Sequence, residues 1–388
     1  MKILCVFGKY QYGKKDRGLS TEYFSFIPAF EKLGHEGCFF DSWDRALYNN
    51  FIELNNSLLD VVKKEKPDII FSVQLGYEIW LETWDYIRAN FRCKTINWCT
   101  DDSWKYKEHS KFLALHFDLM VTTYEEFLPR YKQQGANAIL STWAIPAQWV
   151  LKPKKASDCK YKVSFIGAAH GDRKEKIIKL KEAGIDVSCF GYGWENGVID
   201  ADDIPKIFND SIISLNFANS SGENQIKARV FEVTGSGGFL LTEDAKNLDK
   251  VLNGNEIALF DDMNDCIRKI KYYLNNLELR DSLVVNSFQK TSKNYTYVNR
   301  VKVIIDVVQR IEKKSLESID FSKVLEKHKK NIFLIFIRGL LLLLGKAIYG
   351  KKKGGRFARR VAYEFSWRVF GSNTYKSKGI VGRMFYSE

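Results

Sequence analysis

Residues 224–243 combine residue types that could bind a phosphate and a sugar hydroxyl together. The charged residues and glycines in this stretch are Lys227, Arg229, Glu232, Gly237 and Gly238. A helix over the first part places Arg229 and Glu232, three residues apart, on one face. A cation suits a phosphate and a carboxylate suits a hydroxyl, while the glycines end the helix and let backbone come close to another group. A salt-bridged amphipathic helix with a glycine cap is the second interpretation, and both remain open.

A second anion site is predicted where another strand ends on glycine. The apolar run 162–166 leads into Gly167, and Arg173 opens a helix after a short loop that contains His170. Free N–H groups at a helix start, together with the helix dipole, favour phosphate oxygens. His170 is therefore a further candidate for ligand contact. Tyr192 follows the next strand, where its ring could stack on a nucleobase or pack locally.

Two adjacent carboxylates, Asp101 and Asp102, come directly after the strand predicted over 95–99. Ligands of parallel α/β sheets gather at the carboxyl ends of strands, so these residues are candidates for sugar contact or base chemistry. The alternative is that one of them caps the helix that starts near Ser103. No cysteine and histidine spacing typical of a metal site is present, and we expect no bound metal.

Strands and helices must position these residues, and a series of alternating strands and helices occurs twice along the chain. This pattern predicts an α/β protein with two Rossmann-like domains, an N-terminal one over 1–150 and a second over 151–312. The segment 143–153, which contains two prolines, is expected to link them. Residues 313–388 are predicted to form a separate helical tail.

Three motifs resemble CgeB-like (spore-maturation-type) glycosyltransferases. They are Arg-x-Phe-Glu followed by Gly-Phe-Leu-Leu-Thr-Glu at 229–243, Phe-Ile-Gly and Gly-Asp-Arg within 165–173, and Asn-Trp-x-x-Asp-Asp at 97–102. The resemblance implies a GT-B enzyme with two domains that face a cleft, with 1–150 on the acceptor side and 151–312 on the donor side. It also implies a nucleotide-diphosphate sugar as substrate, no cofactor, phosphate contacts from Arg173, Lys227 and Arg229, and a ribose contact from Glu232. In retaining GT-B enzymes a glutamate is expected close to where Asn224 stands, so a retaining or inverting mechanism is left open.

The charge of the chain is concentrated in the tail. Residues 313–388 carry 18 Lys and Arg against five Asp and Glu, which accounts for the whole net charge of +13. An apolar run over 332–349 lies between basic clusters and holds one charge near its middle, Arg338, and a basic amphipathic segment follows over 356–370. We expect residues 327–370 to attach to an anionic membrane surface, with a true span and a tail packed on the protein as alternatives.

The sequence thus predicts a glycosyltransferase that uses a glycan or lipid-linked acceptor at the cytoplasmic face of a membrane. Seven scattered cysteines and the lack of a signal-peptide pattern favour a cytoplasmic location. Nucleic acid is not an expected partner, because residues 1–312 are electrically neutral. The alternative is a non-catalytic, membrane-bound scaffold that retains the fold.

Overall fold

The computed structural model describes residues 1–217, 224–313, 316–329 and 331–386, and its contacts divide the chain into two compact units. Unit 1 comprises Met1–Gly13, Gly34–Ser141 and Val303–Glu388, and unit 2 comprises Lys14–Leu33 and Thr142–Lys302. These units differ from the predicted domains in two places. The first helix belongs to unit 2, and the C-terminal tail belongs to unit 1.

Unit 1 contains a six-stranded parallel sheet in the order β2-β1-β3-β4-β5-β6. The strands are β1 (Lys2–Phe7), β2 (Glu36–Asp41), β3 (Ile69–Ser72), β4 (Lys94–Cys99), β5 (Leu119–Thr122) and β6 (Ala138–Leu140). The helices up to β6 are α1 (Thr21–Lys32, in unit 2), α2 (Phe51–Glu65), α3 (Leu81–Asn90), α4 (Asp102–Lys105), α5 (Lys111–Leu113) and α6 (Leu128–Gln133). Strands β3 and β5 are buried throughout, as expected of a parallel sheet covered on both faces.

Unit 2 contains a five-stranded parallel sheet in the order β11-β10-β9-β7-β8. Its strands are β7 (Tyr161–Ile166), β8 (Ser188–Phe190), β9 (Ser211–Asn216), β10 (Leu240–Glu243) and β11 (Ala258–Phe260). Its helices are α7 (Arg173–Glu182), α8 (Ile204–Asn209), α9 (Ala228–Gly235), α10 (Leu248–Val251), α11 (Met263–Asn275), α12 (Leu277–Asn294) and the first part of α13 (Tyr297–Arg310). The two parallel sheets confirm the predicted α/β fold class.

The segment 143–153 is not an exposed linker. Ile145 and Trp149 are buried in unit 2, and the carbonyl of Tyr295 accepts a hydrogen bond from the backbone N–H of Ile145. The two prolines that suggested a linker lie in a segment that packs against the unit. The predicted linker is therefore a packed segment of unit 2 that directly follows the boundary between the units at Ser141 and Thr142.

The C-terminal residues extend unit 1. They form α14 (Phe321–Lys327), α15 (Ile332–Phe370) and α16 (Ile380–Met384), and α15 is interrupted at Gly350, which has a φ of 73°. Tyr375, Val381 and Phe385 are fully buried and belong to the same apolar core as the strands of unit 1. The tail is therefore part of the folded unit and not a separate appendage.

The basic segment 356–370 also packs on unit 1. Ala358 and Ala362 are buried in the core, and Arg360 forms an ion pair with Glu108 at 3.0 Å. One face of this predicted membrane-binding segment is consequently committed to the protein. Within the described residues, a single helical stretch, Ile332–Lys351, is long and apolar enough to cross a membrane by length and composition, and little of it is buried.

Candidate functional site

The candidate site lies at the carboxyl edge of the sheet in unit 2. The chain runs from β7 outward to β8 and then returns to the other side of β7 for β9, so β7 and β9 flank a topological switch point. Ligands of open α/β sheets bind at such points, because the loops on the two sides diverge and leave a crevice. The loop after β7 carries Gly167 and His170, and the segment after β9 leads to α9. Residues 218–223 of that segment, including Glu223, lie outside the described part of the chain.

Arg173 connects the two loops at this edge. Its guanidinium donates hydrogen bonds to the carbonyl oxygens of Ala168 at 3.1 Å and Phe217 at 3.0 Å, which follow β7 and β9. Gly167 leaves room for this side chain, since a Cβ at that position would lie 3.4 Å from the guanidinium. Burial, together with the positive charge of Arg229, lowers the pKa of Arg173. Arg173 therefore holds the loops after β7 and β9 together at the predicted phosphate site.

Arg229 and Glu232 form the pair predicted from their spacing on α9. The guanidinium of Arg229 lies 2.7 Å from a carboxylate oxygen of Glu232 and 4.9 Å from the ring centroid of Phe208. Glu232 is buried, and desolvation raises its pKa while the positive charge of Arg229 opposes that shift. A buried carboxylate with one strong donor retains lone pairs that a ligand hydroxyl can use.

Lys227 and Asn224 precede α9. Lys227 occupies the N-cap position in extended backbone, and both side chains are half-buried. The first N–H groups of the helix therefore share this region with the side chains of Lys227 and Arg229. The structure pairs Arg229 with Glu232 on α9, places Lys227 at the start of that helix, and places Arg173 between the loops after β7 and β9.

His170 is exposed in the loop after β7, and its Nε2 lies 3.4 Å from the guanidinium of Arg173. Partial burial of the ring, together with the charge of Arg173, lowers the pKa of His170. A neutral imidazole beside a fixed guanidinium can accept or donate a hydrogen bond at neutral pH. His170 therefore lies where the sequence placed it, beside the predicted phosphate site.

Lys176 and Glu243 were missed as site residues by the sequence analysis. The ammonium of Lys176 lies 2.7 Å from the carboxylate of Glu243 at the end of β10 and 3.2 Å from Asp172. These ion pairs connect the first turn of α7 to the carboxyl edge of the sheet. The signal available in the sequence was the position of Glu243 at the end of a strand and of Lys176 one turn from Asp172.

Gly237 and Gly238 pack against the protein's own backbone. Gly237 has a φ of 69°, and a Cβ there would lie 2.8 Å from the carbonyl oxygen of Leu151 and from Pro153. A Cβ on Gly238 would lie 2.7 Å from the carbonyl oxygen of Phe208. The close approach that these glycines permit is thus to neighbouring chain segments, which corrects the expectation that they contact the donor.

Tyr192 is about half exposed on the loop after β8. The guanidinium of Arg17, which also belongs to unit 2, lies 5.3 Å from its ring centroid. One face of the ring is therefore in contact with a cation. A nucleobase would have to stack on the other face or displace Arg17.

Asp102 has a structural position in unit 1. It is fully buried, and its Oδ2 accepts hydrogen bonds from Thr122 at 2.7 Å and Tyr131 at 2.9 Å. Burial raises its pKa, although hydroxyl donors oppose the shift. Because its carboxylate is bound by Thr122 and Tyr131 within unit 1, we assign Asp102 a structural role in place of the predicted catalytic one.

Asp101 occupies the N-cap position of α4 and is half-buried. Its carboxylate accepts a hydrogen bond from the hydroxyl of Thr100 at 3.1 Å, and its side chain makes no capping hydrogen bond to the helix. Of the adjacent carboxylates, only Asp101 is accessible at the carboxyl end of β4. Across the described ranges, no group of three His, Cys, Asp or Glu side chains is placed to hold a metal ion.

Two parallel α/β sheets with these site loops define the GT-B class of fold. Residues 173–306 match the family described as Glycosyl transferase-like, and this match covers about a third of the chain. It begins at Arg173 and includes α9 with Arg229 and Glu232. These residues therefore form a glycosyltransferase family domain within a GT-B fold.

Solved structures with low sequence identity share the fold. Sucrose-phosphate synthase from Thermosynechococcus elongatus has a TM-score of 0.61 at 10% identity, covering 80% of this chain and 99% of that one. HepE of Anabaena in complex with UDP and glucose has a TM-score of 0.55 at 11% identity, covering 80% and 99%. A putative UDP-N-acetylglucosamine 2-epimerase from Listeria monocytogenes has a TM-score of 0.50 at 14% identity, covering 82% and 99%. A comparison with curated proteins by sequence finds no match.

Proposed function

We propose that the chain transfers a sugar from a nucleotide-diphosphate sugar to a membrane-associated or surface-glycan acceptor. The observation that carries the proposal is the placement of two guanidinium groups in unit 2, where Arg173 joins the loops after β7 and β9 and Arg229 is paired with the buried Glu232 on α9. The positive charge of these side chains would attract an anion to this edge of the sheet. The nucleotide diphosphate is such an anion.

The chemistry follows from the charges at this edge. In glycosyl transfer the bond between the sugar and the diphosphate breaks, and negative charge develops on the leaving phosphate. Arg173, Lys227 and Arg229 would stabilise that charge, since fixed cations placed before the reaction do not need to reorganise during it. This role requires no metal ion, and we propose metal-independent transfer.

Glu232 would bind the ribose of the nucleotide. Its buried carboxylate is oriented by Arg229 and can accept hydrogen bonds from vicinal hydroxyls. The resemblance of the Arg-x-Phe-Glu motif to CgeB-like enzymes supports this assignment and the finer subfamily. Asp101 is the remaining candidate for acceptor contact or base chemistry in unit 1.

The acceptor and location are proposed from the tail. Its positive charge and exposed apolar helix fit attachment to the cytoplasmic face of an anionic membrane, where lipid-linked acceptors and nascent surface polysaccharides are available. No nucleic-acid partner is proposed, because residues 1–312 are neutral. A peripheral enzyme would meet a soluble nucleotide sugar and a membrane-bound acceptor at the same surface.

A thermal-shift panel of nucleotide diphosphates and their sugars tests this function. UDP and UDP-sugars come first, because HepE is found with UDP. A ligand at about 100 times its Kd stabilises the folded state by about 2.7 kcal/mol, which gives a rise in Tm of several degrees. Lack of any shift across the panel would remove the main support for the enzyme.

Turnover distinguishes the enzyme from a non-catalytic scaffold and from an epimerase of similar fold. The stabilising nucleotide sugar is incubated with the protein, and the products are separated. Release of the nucleoside diphosphate with transfer or hydrolysis of the sugar is expected. Binding without release supports the scaffold, and isomerisation of the sugar supports an epimerase.

A further inference from the structure

We propose that helix segment 332–349 lies in the plane of an anionic lipid bilayer, with one face in the lipid and the opposite face docked on unit 1. This proposal rests on the membrane attachment proposed above but not on glycosyl transfer. It specifies which residues enter the lipid, and it excludes a transmembrane span. Both statements follow from how α15 packs.

The inner face of the segment packs against the core of unit 1. Leu334, Ile337, Leu341 and Leu342 pack against the buried cluster that includes Phe385. Arg338 lies on the same face, with its guanidinium 5.9 Å from the ring centroid of Phe385. The one charge near the middle of the apolar run is therefore turned towards the protein and away from the outer face.

The outer face is exposed along its length, and its exposed side chains are apolar apart from Lys346 near the C-terminal end. Exposed large apolar side chains on this segment are Ile332, Phe333, Ile335, Phe336, Leu340, Leu343, Leu344, Ile348 and Tyr349. Phe336 is 70% exposed and Leu343 is 68% exposed. Contact of such large apolar side chains with water is unfavourable. A contiguous exposed patch of this kind marks a site of contact with another protein or with a membrane.

The charges around the patch select lipid as its occupant. Lys327 and Lys329 precede the segment, Lys351 and Lys353 follow it, and all four side chains are exposed. Anionic head groups would neutralise these cations while the apolar side chains enter the acyl region. A second copy packed on the same face would bring two sets of cations together, which is unfavourable.

The turn at Gly350 directs the chain that follows segment 332–349 back towards unit 1. After Gly350 the chain returns along the first segment, and a Cβ on Gly345 would lie 2.5 Å from the carbonyl oxygen of Gly354. Ala358 and Ala362 then fix the returning helix in the core of unit 1. Crossing a bilayer would require the inner face and Arg338 to leave that core, so the docked segment lies along the membrane.

Vesicle co-sedimentation tests the lipid face. The full chain is mixed with vesicles of phosphatidylcholine alone or with phosphatidylglycerol. We expect binding to the anionic vesicles and a loss of more than about tenfold in Phe336→Glu/Leu343→Glu, because two large apolar side chains no longer enter the lipid. The matched control is Leu115→Glu/Ile178→Glu, which adds the same charge at exposures of 57% and 55% and should bind like the wild type.

A cysteine at the turn tests the topology. Lys351→Cys, compared with the unsubstituted chain, should react with a membrane-impermeant maleimide added outside the vesicles. Protection from the reagent would show that the segment spans. If Phe336→Glu/Leu343→Glu binds anionic vesicles as well as the wild type does, the proposed lipid face is wrong. If the wild type does not bind vesicles but forms a dimer that this variant dissociates, a second copy of the chain occupies the face. The nucleotide thermal shift of each variant is read separately, so failure here leaves the proposed enzyme untouched.

Discussion

The ionisable side chains of the two units differ in what surrounds them, and this difference decides their roles. Glu232 is buried with a guanidinium beside it at a sheet edge, whereas Asp102 is buried among hydroxyl donors beneath its strand. Both carboxyls have a raised pKa because burial disfavours the charged form. Only Glu232 is paired with a cation, since the hydrogen-bond donors to Asp102 are neutral hydroxyl groups.

Replacement of Glu232 tests the nucleotide site. We expect Glu232→Gln to weaken nucleotide binding by about ten- to a hundredfold, since an amide cannot supply the carboxylate acceptors and leaves Arg229 without its ion-pair partner. Isothermal titration calorimetry with the stabilising nucleotide measures the change. Glu256→Gln, which breaks the 3.0 Å pair with Lys290 in the same unit, is the control and should bind normally.

The role of Asp102 is tested by the pH dependence of stability. The raised folded-state pKa means that the folded protein holds its proton more tightly than the unfolded chain, so this contribution to stability is lost as pH rises from about 4 through the folded pKa. Asp102→Asn lacks the contribution. Relative to the variant, the wild type should lose about 1.4 kcal/mol for each pH unit across that window.

Urea unfolding of both proteins between pH 4 and 7 measures this difference, with Asp101→Asn as the neighbouring control. A structural Asp102 predicts retained nucleotide binding in Asp102→Asn. A parallel pH profile for wild type and variant, combined with a loss of turnover, would instead indicate a catalytic carboxylate.

Secondary-structure elements show how one motif serves two purposes. Helix α9 carries Arg229 and Glu232, and Gly237 and Gly238, which follow the helix, pack against Leu151, Pro153 and Phe208. The close packing of the two glycines therefore helps to fix the position of the helix that carries the Arg229–Glu232 pair. Within residues 224–243, the charged residues of the helix are the candidates for ligand binding, whereas the glycines that follow pack against the protein.

Gly237→Ala tests the packing role. A Cβ would clash with Leu151 and Pro153 and would require a left-handed backbone, so we expect a loss of about 2 kcal/mol or more in the free energy of unfolding. Gly254→Ala, where nothing lies within 4 Å of the added Cβ, is the control. If Gly237→Ala unfolds like the wild type but no longer binds nucleotide, then the glycine serves the ligand directly.

At the scale of the whole chain, the C-terminal tail is part of the folded unit 1. Removing the tail therefore tests the stability of unit 1 as well as membrane attachment. We expect deletion of 325–388 to give poorly soluble protein, because each of Tyr375, Val381 and Phe385 is fully buried and each loss costs about 2–5 kcal/mol. Together these losses approach the total stability of a domain. Soluble yield and cooperative unfolding measure the outcome.

A folded, soluble truncated protein would show that unit 1 is stable without its tail. In that case a sedimentation assay on the truncated protein would report membrane attachment directly. Otherwise substitutions on the outer face of 332–349 are the informative experiment.

The local sequence determined most of the parallel fold and the Arg229–Glu232 pair, because strand patterns and three-residue spacing on a helix are short-range properties. It also located the excess charge. The tertiary structure decided which of two adjacent aspartates is buried, that the glycines pack on backbone, and that Arg338 turns towards Phe385. These outcomes depend on contacts between residues distant in the chain, and no local pattern specifies which face of a segment its distant neighbours will cover.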